Sequence, residues 1–173
     1  IPNSAIVPEI IHYNMPDSLQ TIVSEWNCSE KVISVGNVRN RLGFFNNNMT
    51  QYYPIGDMTP PGKLSKNSSK GPSRHALVKP DVSASGDVTL AAAPLWLLTN
   101  PAYNNIIDSG GWHAGNGGTS MASPIIAGLA ALYLEKCDKA SYLNFKTDLI
   151  SNSEADAFTG VLPNNAYGNG KPH

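Results

Sequence analysis

The stretch GNGGTSMASPIIAGLAALYLE, Gly115 to Glu135, constrains the fold of this chain more than any other. Small or apolar residues fill nearly every position between Met121 and Leu134, with no polar stripe at helical spacing. A helix apolar almost all the way round is normally buried, so the pattern predicts an interior helix from Ser120 to about Lys136. Pro124 falls in its first turn, where the missing N–H costs nothing. The alanines and Gly128 let neighbouring backbone come close. A buried helix start is a poor place for a free serine unless something uses it.

Chemistry offers a use. The first N–H groups of a helix lack carbonyl partners, and the dipole points its positive end there. If Ser120 attacks a carbonyl, the N–H of Ser120 is placed to hold the oxyanion. Gly117 and Gly118 remove side chains from the approach, and Thr119 adds a hydroxyl. Ser123 fits a local hydrogen-bonding role better than a reactive one. The plainer reading is that Thr119 or Ser120 only caps the helix.

The whole segment decides between them. GTSMASP followed by IIAGLAAL closely resembles the nucleophile segment of the subtilisin-like serine proteases, the subtilases or peptidase family S8. VISVGNV, Val32 to Val38, is similar to that family's VITVGAV strand. NSSKGPSRHALVKPDVSASGD resembles its SSRGP…KPDVxAPG segment: Ser69, Gly71, Pro72, Lys79, Pro80, Asp81, Ala84 and Gly86 match, while Ser85 stands where proline is usual. The closing YGNGK looks like the start of the family's last GxG segment. The resemblance runs from about Val32 to Lys171. It implies an α/β fold, the C-terminal half of a three-layer α/β/α domain with a mostly parallel sheet. It also implies a serine endopeptidase that cleaves peptide bonds through an acyl-enzyme on Ser120, with Thr119 and Gly118 as weaker oxyanion or substrate contacts.

Such an enzyme needs an Asp, a His and an oxyanion Asn before the VITVG strand, in DxG, HGT and AGN contexts. Thirty-one residues lead up to and include Lys31 and none reads HGT or AGN; Asn14 has the wrong neighbours. Residues 1–173 are therefore expected to be a partial catalytic domain, inactive alone, whose Asp, His and Asn lie upstream. Asp108, His113 and Ser120 mimic the triad order, but thirteen residues of glycine-rich loop cannot hold three groups on separate packed elements. His12, His75 and His173 have no motif around them. The expected partners are a peptide substrate, the missing N-terminal half, and a second copy through an exposed sheet edge. The resemblance suggests a secreted or extracytoplasmic enzyme and at most a structural calcium, with no ligand set assignable. The alternative is a catalytically incompetent fragment or pseudo-enzyme that serves as a binding domain.

Other classes fit less well. The net charge is -1 with no basic stripe, which argues against nucleic acid. No apolar run is long enough for a bilayer, and the chain opens Ile1-Pro2-Asn3 with no charged-then-apolar leader. GNGGTS lacks a P-loop lysine and is not GxGxxG, so a phosphate-binding module is a poor second. Cys28 and Cys137 make neither a disulfide framework nor a metal site and read as two buried thiols, one bridge remaining possible. The sequons at Asn27, Asn48 and Asn67 carry little weight in an asparagine-rich chain.

The remaining elements read coarsely. Lys31–Val38 is expected as a strand buried on both faces. Arg39–Ser73 reads as loop, His75–Asp87 as a short extended segment and a turn, and VTLAAAPLWLLTN as a strand pair bent at Pro94. PAYNNIIDSGGWHAGNGG reads as a short strand and a glycine-rich loop. A second helix is expected over about Ser141–Ile150 with Leu143, Leu149 and Ile150 inward.

Overall fold

The computed structural model describes residues 5–9, 23–53 and 58–173; Asn14 and His12 lie outside them. At its centre, strand β1 (Val35–Arg39) pairs in parallel with β4 (Val82–Asp87), Val35 opposite Val82 and Val38 opposite Ser85. Four of the five β1 residues are buried, as a strand covered on both faces requires. The long helix α2 (Thr119–Lys136) packs across this pair, and α3 (Tyr142–Ser151) closes the core beside it. Val82, Ala84, Ala122, Ile126, Phe145 and Leu149 form that core, with Ile33, Val35 and Tyr133 against it. The fold is α/β with a parallel pair at its heart, as expected.

The outer edge of β1 is covered by a loop. Asn37 N donates to Ser68 Oγ at 3.0 Å and Arg39 N to Lys63 O at 2.9 Å. Ser65 N and Gly62 N return bonds to Asn37 O and Arg39 O at 2.9 and 2.8 Å. Residues 62–68 thus take the hydrogen bonds that a neighbouring strand would otherwise make there.

A buried charge cluster pins three segments together. Lys79, only 1% exposed, donates from Nζ to Asp81 Oδ2 at 2.7 Å and to the carbonyls of Val32 and Ser29 at 2.9 and 3.2 Å. Lys146 Nζ of α3 lies 2.8 Å from Asp81 Oδ1, and Ser34 N donates to Asp81 Oδ2 at 2.7 Å. The Lys-Pro-Asp tripeptide therefore anchors β4 to α3 and to the entry of β1.

Several readings of the sequence need correction. The long helix does not run through the interior: only Ala122 and Ile126 are buried, while Ile125, Leu132 and Leu134 are 41%, 64% and 47% exposed. Its apolar circumference identifies a helix with more to bury than the described residues cover. Where His75–Asp87 was expected to end in a turn, Val82–Asp87 is strand β4; serine and alanine suit a strand covered by a helix at close range. Inside the expected loop, β2 (Phe44–Phe45) and β3 (Gln51–Tyr52) form a small antiparallel hairpin. Of the expected strand pair, only β5 (Thr89–Ala92) is a strand; Pro94 precedes a helical turn, α1 (Leu95–Leu98). The glycine-rich loop contains β6 (His113–Asn116), antiparallel to β5. In α3, Phe145 is buried and Leu143 is 58% exposed, because the helix turns on its Ser141–Asn144 capping box to face Phe145 and Leu149 inward. Two short strands, β7 (Ser153–Glu154) and β8 (Lys171–Pro172), close the chain. Cys28 and Cys137 are unbridged and half-buried rather than buried.

Candidate active site at the start of the long helix

The turn that carries Ser120 is built by glycine at two points. Gly118 is the N-cap of α2 with φ 118°, a region that L side chains rarely adopt. Its N–H donates to Gly86 O at 2.9 Å, which stitches the helix start to the end of β4. Gly86 permits that closeness: a Cβ there would lie 2.6 Å from Gly118 O and 2.7 Å from Ala122 Cβ. The SASGD segment and the GGTS segment, far apart in sequence, are therefore one local structure.

From this base the first turn of α2 points outward. Ser120 is exposed, and its hydroxyl has no hydrogen-bond partner among the described residues. The N–H groups of Thr119 and Ser120 donate to no described backbone carbonyl, while Met121 N donates to Gly118 O at 2.9 Å. Two free N–H groups and a free hydroxyl at the positive end of an 18-residue helix form a site that stabilises developing negative charge. Ser120 does not cap the helix, since no side chain accepts at that end. Thr119 and Ser123 line a cavity of about 250 Å³ with Ile33, Val35 and Lys79, so one side of this turn is open space.

The Asp108–His113 pair belongs to a different feature. Asp108 Oδ1 accepts from the N–H groups of Trp112 and His113 at 3.0 and 2.9 Å, and His113 Nδ1 lies 3.4 Å from Asp108 Oδ2. Burial alone would raise the Asp108 pKa, but hydrogen bonds from His113 and Trp112 outweigh it and hold the carboxyl below its ordinary value. This carboxylate shapes a turn, and no hydrogen bond joins His113 to Ser120 among the described residues. His75 and His173 are exposed.

Behind the site lies a second buried ion pair, which the motifs alone did not single out. Arg39, 1% exposed, places Nη1 3.1 Å from Asp87 Oδ2, and its other nitrogens donate to Arg41 O and Leu42 O at 2.8 and 3.0 Å. The one signal available was the charged residue directly after Gly86. Among the described residues no three of His, Cys, Asp and Glu come together to hold a metal. No helix of the described residues is long and apolar enough to cross a membrane.

Several known proteins resemble this chain. The model of the subtilase family, Peptidase_S8, matches residues 12–170. An uncharacterized protein of Aquifex aeolicus (strain VF5) is 32% identical over 107 residues, which cover 61% of this chain and 47% of that protein. The structure of the Clostridium perfringens CspB protease is similar with a TM-score of 0.53 and 25% identity, over 83% of this chain and 25% of that one. The chain thus spans about half the length of the curated relative and about a quarter of the solved structure.

Proposed function

The chain belongs to the subtilase family of serine peptidases, and on that premise we propose that it carries the nucleophile of an endopeptidase, Ser120. The observation that carries this reading is the exposed hydroxyl beside two unpaired helix N–H groups. In this mechanism Ser120 Oγ attacks the scissile carbonyl, and the Ser120 N–H, with help from the Gly118–Thr119 turn, holds the oxyanion. The histidine proposed upstream takes the Ser120 proton and hands it to the leaving amine as the peptide C–N bond breaks; water then hydrolyses the acyl ester, freeing the other fragment as a carboxylate and restoring the Ser120 hydroxyl.

A lone serine hydroxyl is a weak nucleophile at neutral pH, and none of the described histidines bonds to it. The Asp, the His and the oxyanion Asn are proposed to come from upstream sequence, which makes residues 1–173 part of a catalytic domain. The short coverage of both relatives and the apolar residues left exposed on α2 support that division. The proposal extends to a peptide or protein substrate and a secreted or extracytoplasmic setting, which family membership supports.

A serine-directed phosphonate applied to the full-length protein tests the assignment. Labelling is expected on Ser120 and absent from Ser120→Ala; equal labelling of both removes the proposal. Failure to label a folded full-length protein favours the second reading, a pseudo-enzyme used for binding, which the lack of a base bonded to Ser120 among the described residues also supports.

A further inference from the structure

Three residues before the nucleophile, Gly117 borders a second cavity of about 190 Å³, walled by Phe44 and Tyr52 of the β2–β3 hairpin and by Asp87 and Val88. We propose that this cavity is a specificity pocket for one basic side chain of the substrate, lysine or arginine, next to the bond cleaved at Ser120. The proposal rests on the protease reading and names its substrate class.

Four features of the cavity point to a ligand. Its volume is below the range of about 300–1,000 Å³ typical of small-molecule sites, and suits a single amino-acid side chain. Its polar group is a carboxylate with one oxygen to spare. Asp87 Oδ2 is taken by Arg39 and Ser65 Oγ, each at 3.1 Å, whereas Oδ1 has no partner among the described residues. Gly117 leaves that oxygen uncovered, since a Cβ on Gly117 would sit directly against it. Finally, Val88 holds φ 56° although it is β-branched and 5% exposed. A β-branched residue in the left-handed region is strained, and such residues cluster where a site over-determines the backbone. Here the strained residue directly follows Asp87 and lines the same cavity.

The choice of a cation follows from the walls. Phe44 and Tyr52 stand 5.0 Å apart between centroids, inclined at 40°, and Phe44 rests on the backbone of Gly115. Aromatic faces and a carboxylate oxygen together attract an ammonium or guanidinium group. Arg39 bonds Oδ2, so the oxygen left for an entering cation is Oδ1. The aliphatic stem of lysine or arginine suits the aromatic walls given by Phe44 and Tyr52.

The test uses the full-length protein and peptides that carry Lys or Arg at each position flanking the cleaved bond. Matched peptides carry norleucine or citrulline instead. One position is expected to show a kcat/KM preference of about tenfold or more for the basic residue. Asp87→Asn is expected to bring that ratio to near parity. Because Asp87 also pairs with buried Arg39, Tyr52→Leu on the hairpin is the second variant, and the ratio is expected to fall severalfold. No basic preference at any flanking position, or a preference that survives both variants, overturns the pocket. If peptides are cleaved and Ser120 is labelled without such a preference, the pocket alone falls. If nothing is cleaved or labelled, the protease reading falls with it.

Discussion

The amide of Gly118 donates to the carbonyl of Gly86 at 2.9 Å, and no side chain stands between them. That bond fixes where the helix of Ser120 begins relative to the central strand. Gly86→Ala forces a Cβ to within 2.6 Å of both Gly118 O and Asn37 Oδ1. Overpacking of this kind costs about 1–3 kcal/mol. A lower urea midpoint is expected, together with slower phosphonate labelling of Ser120 in the full-length protein. Unchanged labelling would mean that the stitch does not position the serine.

The charge cluster at Asp81 sets a second expectation. Asp81→Asn leaves Lys79 without its 2.7 Å carboxylate partner while still 1% exposed. Breaking a buried pair from one side costs about 3–5 kcal/mol. Chemical denaturation is expected to show a loss of that order, whereas an exposed control such as Asp138→Asn is expected to stay within about 0.5 kcal/mol.

The turn at Asp108 predicts a pH dependence with a definite sign. Burial alone would raise its folded pKa, but hydrogen bonds from His113 and Trp112 outweigh that and hold it below the ordinary aspartate value. The stability that the carboxylate contributes is therefore complete above its unfolded pKa and is lost as pH falls through the lower folded value. A carboxyl NMR titration is expected to place the Asp108 midpoint below that of a free aspartate. Acid is expected to loosen the 108–113 turn; a midpoint at or above the free value contradicts the geometry.

The exposed residues of α2 bear on the isolated chain. Leu132 and Leu134, 64% and 47% exposed, present apolar surface to water. The 173-residue chain expressed alone is expected to elute as an oligomer or to precipitate, and Leu132→Lys with Leu134→Lys to shift it towards monomer. A well-behaved wild-type monomer would count against the half-domain proposal.

Much of the fold's centre was legible in the sequence, for a physical reason. The β-branched run VISVGNV supplies Val35–Val38 of β1, with Gly36 to Val38 buried, although Lys31 and Val32, also expected in the strand, lie exposed ahead of it. A long glycine-introduced apolar helix has one natural place beside such a strand. The amphipathic pattern over about Ser141–Ile150 placed α3 (Tyr142–Ser151). What escaped was long-range. SASGD reads as a turn until the helix start is known to press against Gly86, and Phe44 and Tyr52 meet only when a hairpin forms inside an asparagine-rich stretch. The exposure of α2 was hidden for another reason: an apolar pattern records what a helix is able to bury, and only the coordinates record what covers it. The role of Asp87 was invisible because its partner, Arg39, is forty-eight residues away.

The loop at residues 62–68 has one more consequence. It occupies the outward hydrogen-bonding groups of Asn37 and Arg39, leaving Val35 as the one outward-facing β1 residue beyond its reach. Any polypeptide that extends the sheet on this flank has a single rung of the ladder to grip, at the Val35 end. Growth by stacking strand upon strand, the usual hazard of a bare margin, is blocked over most of its length.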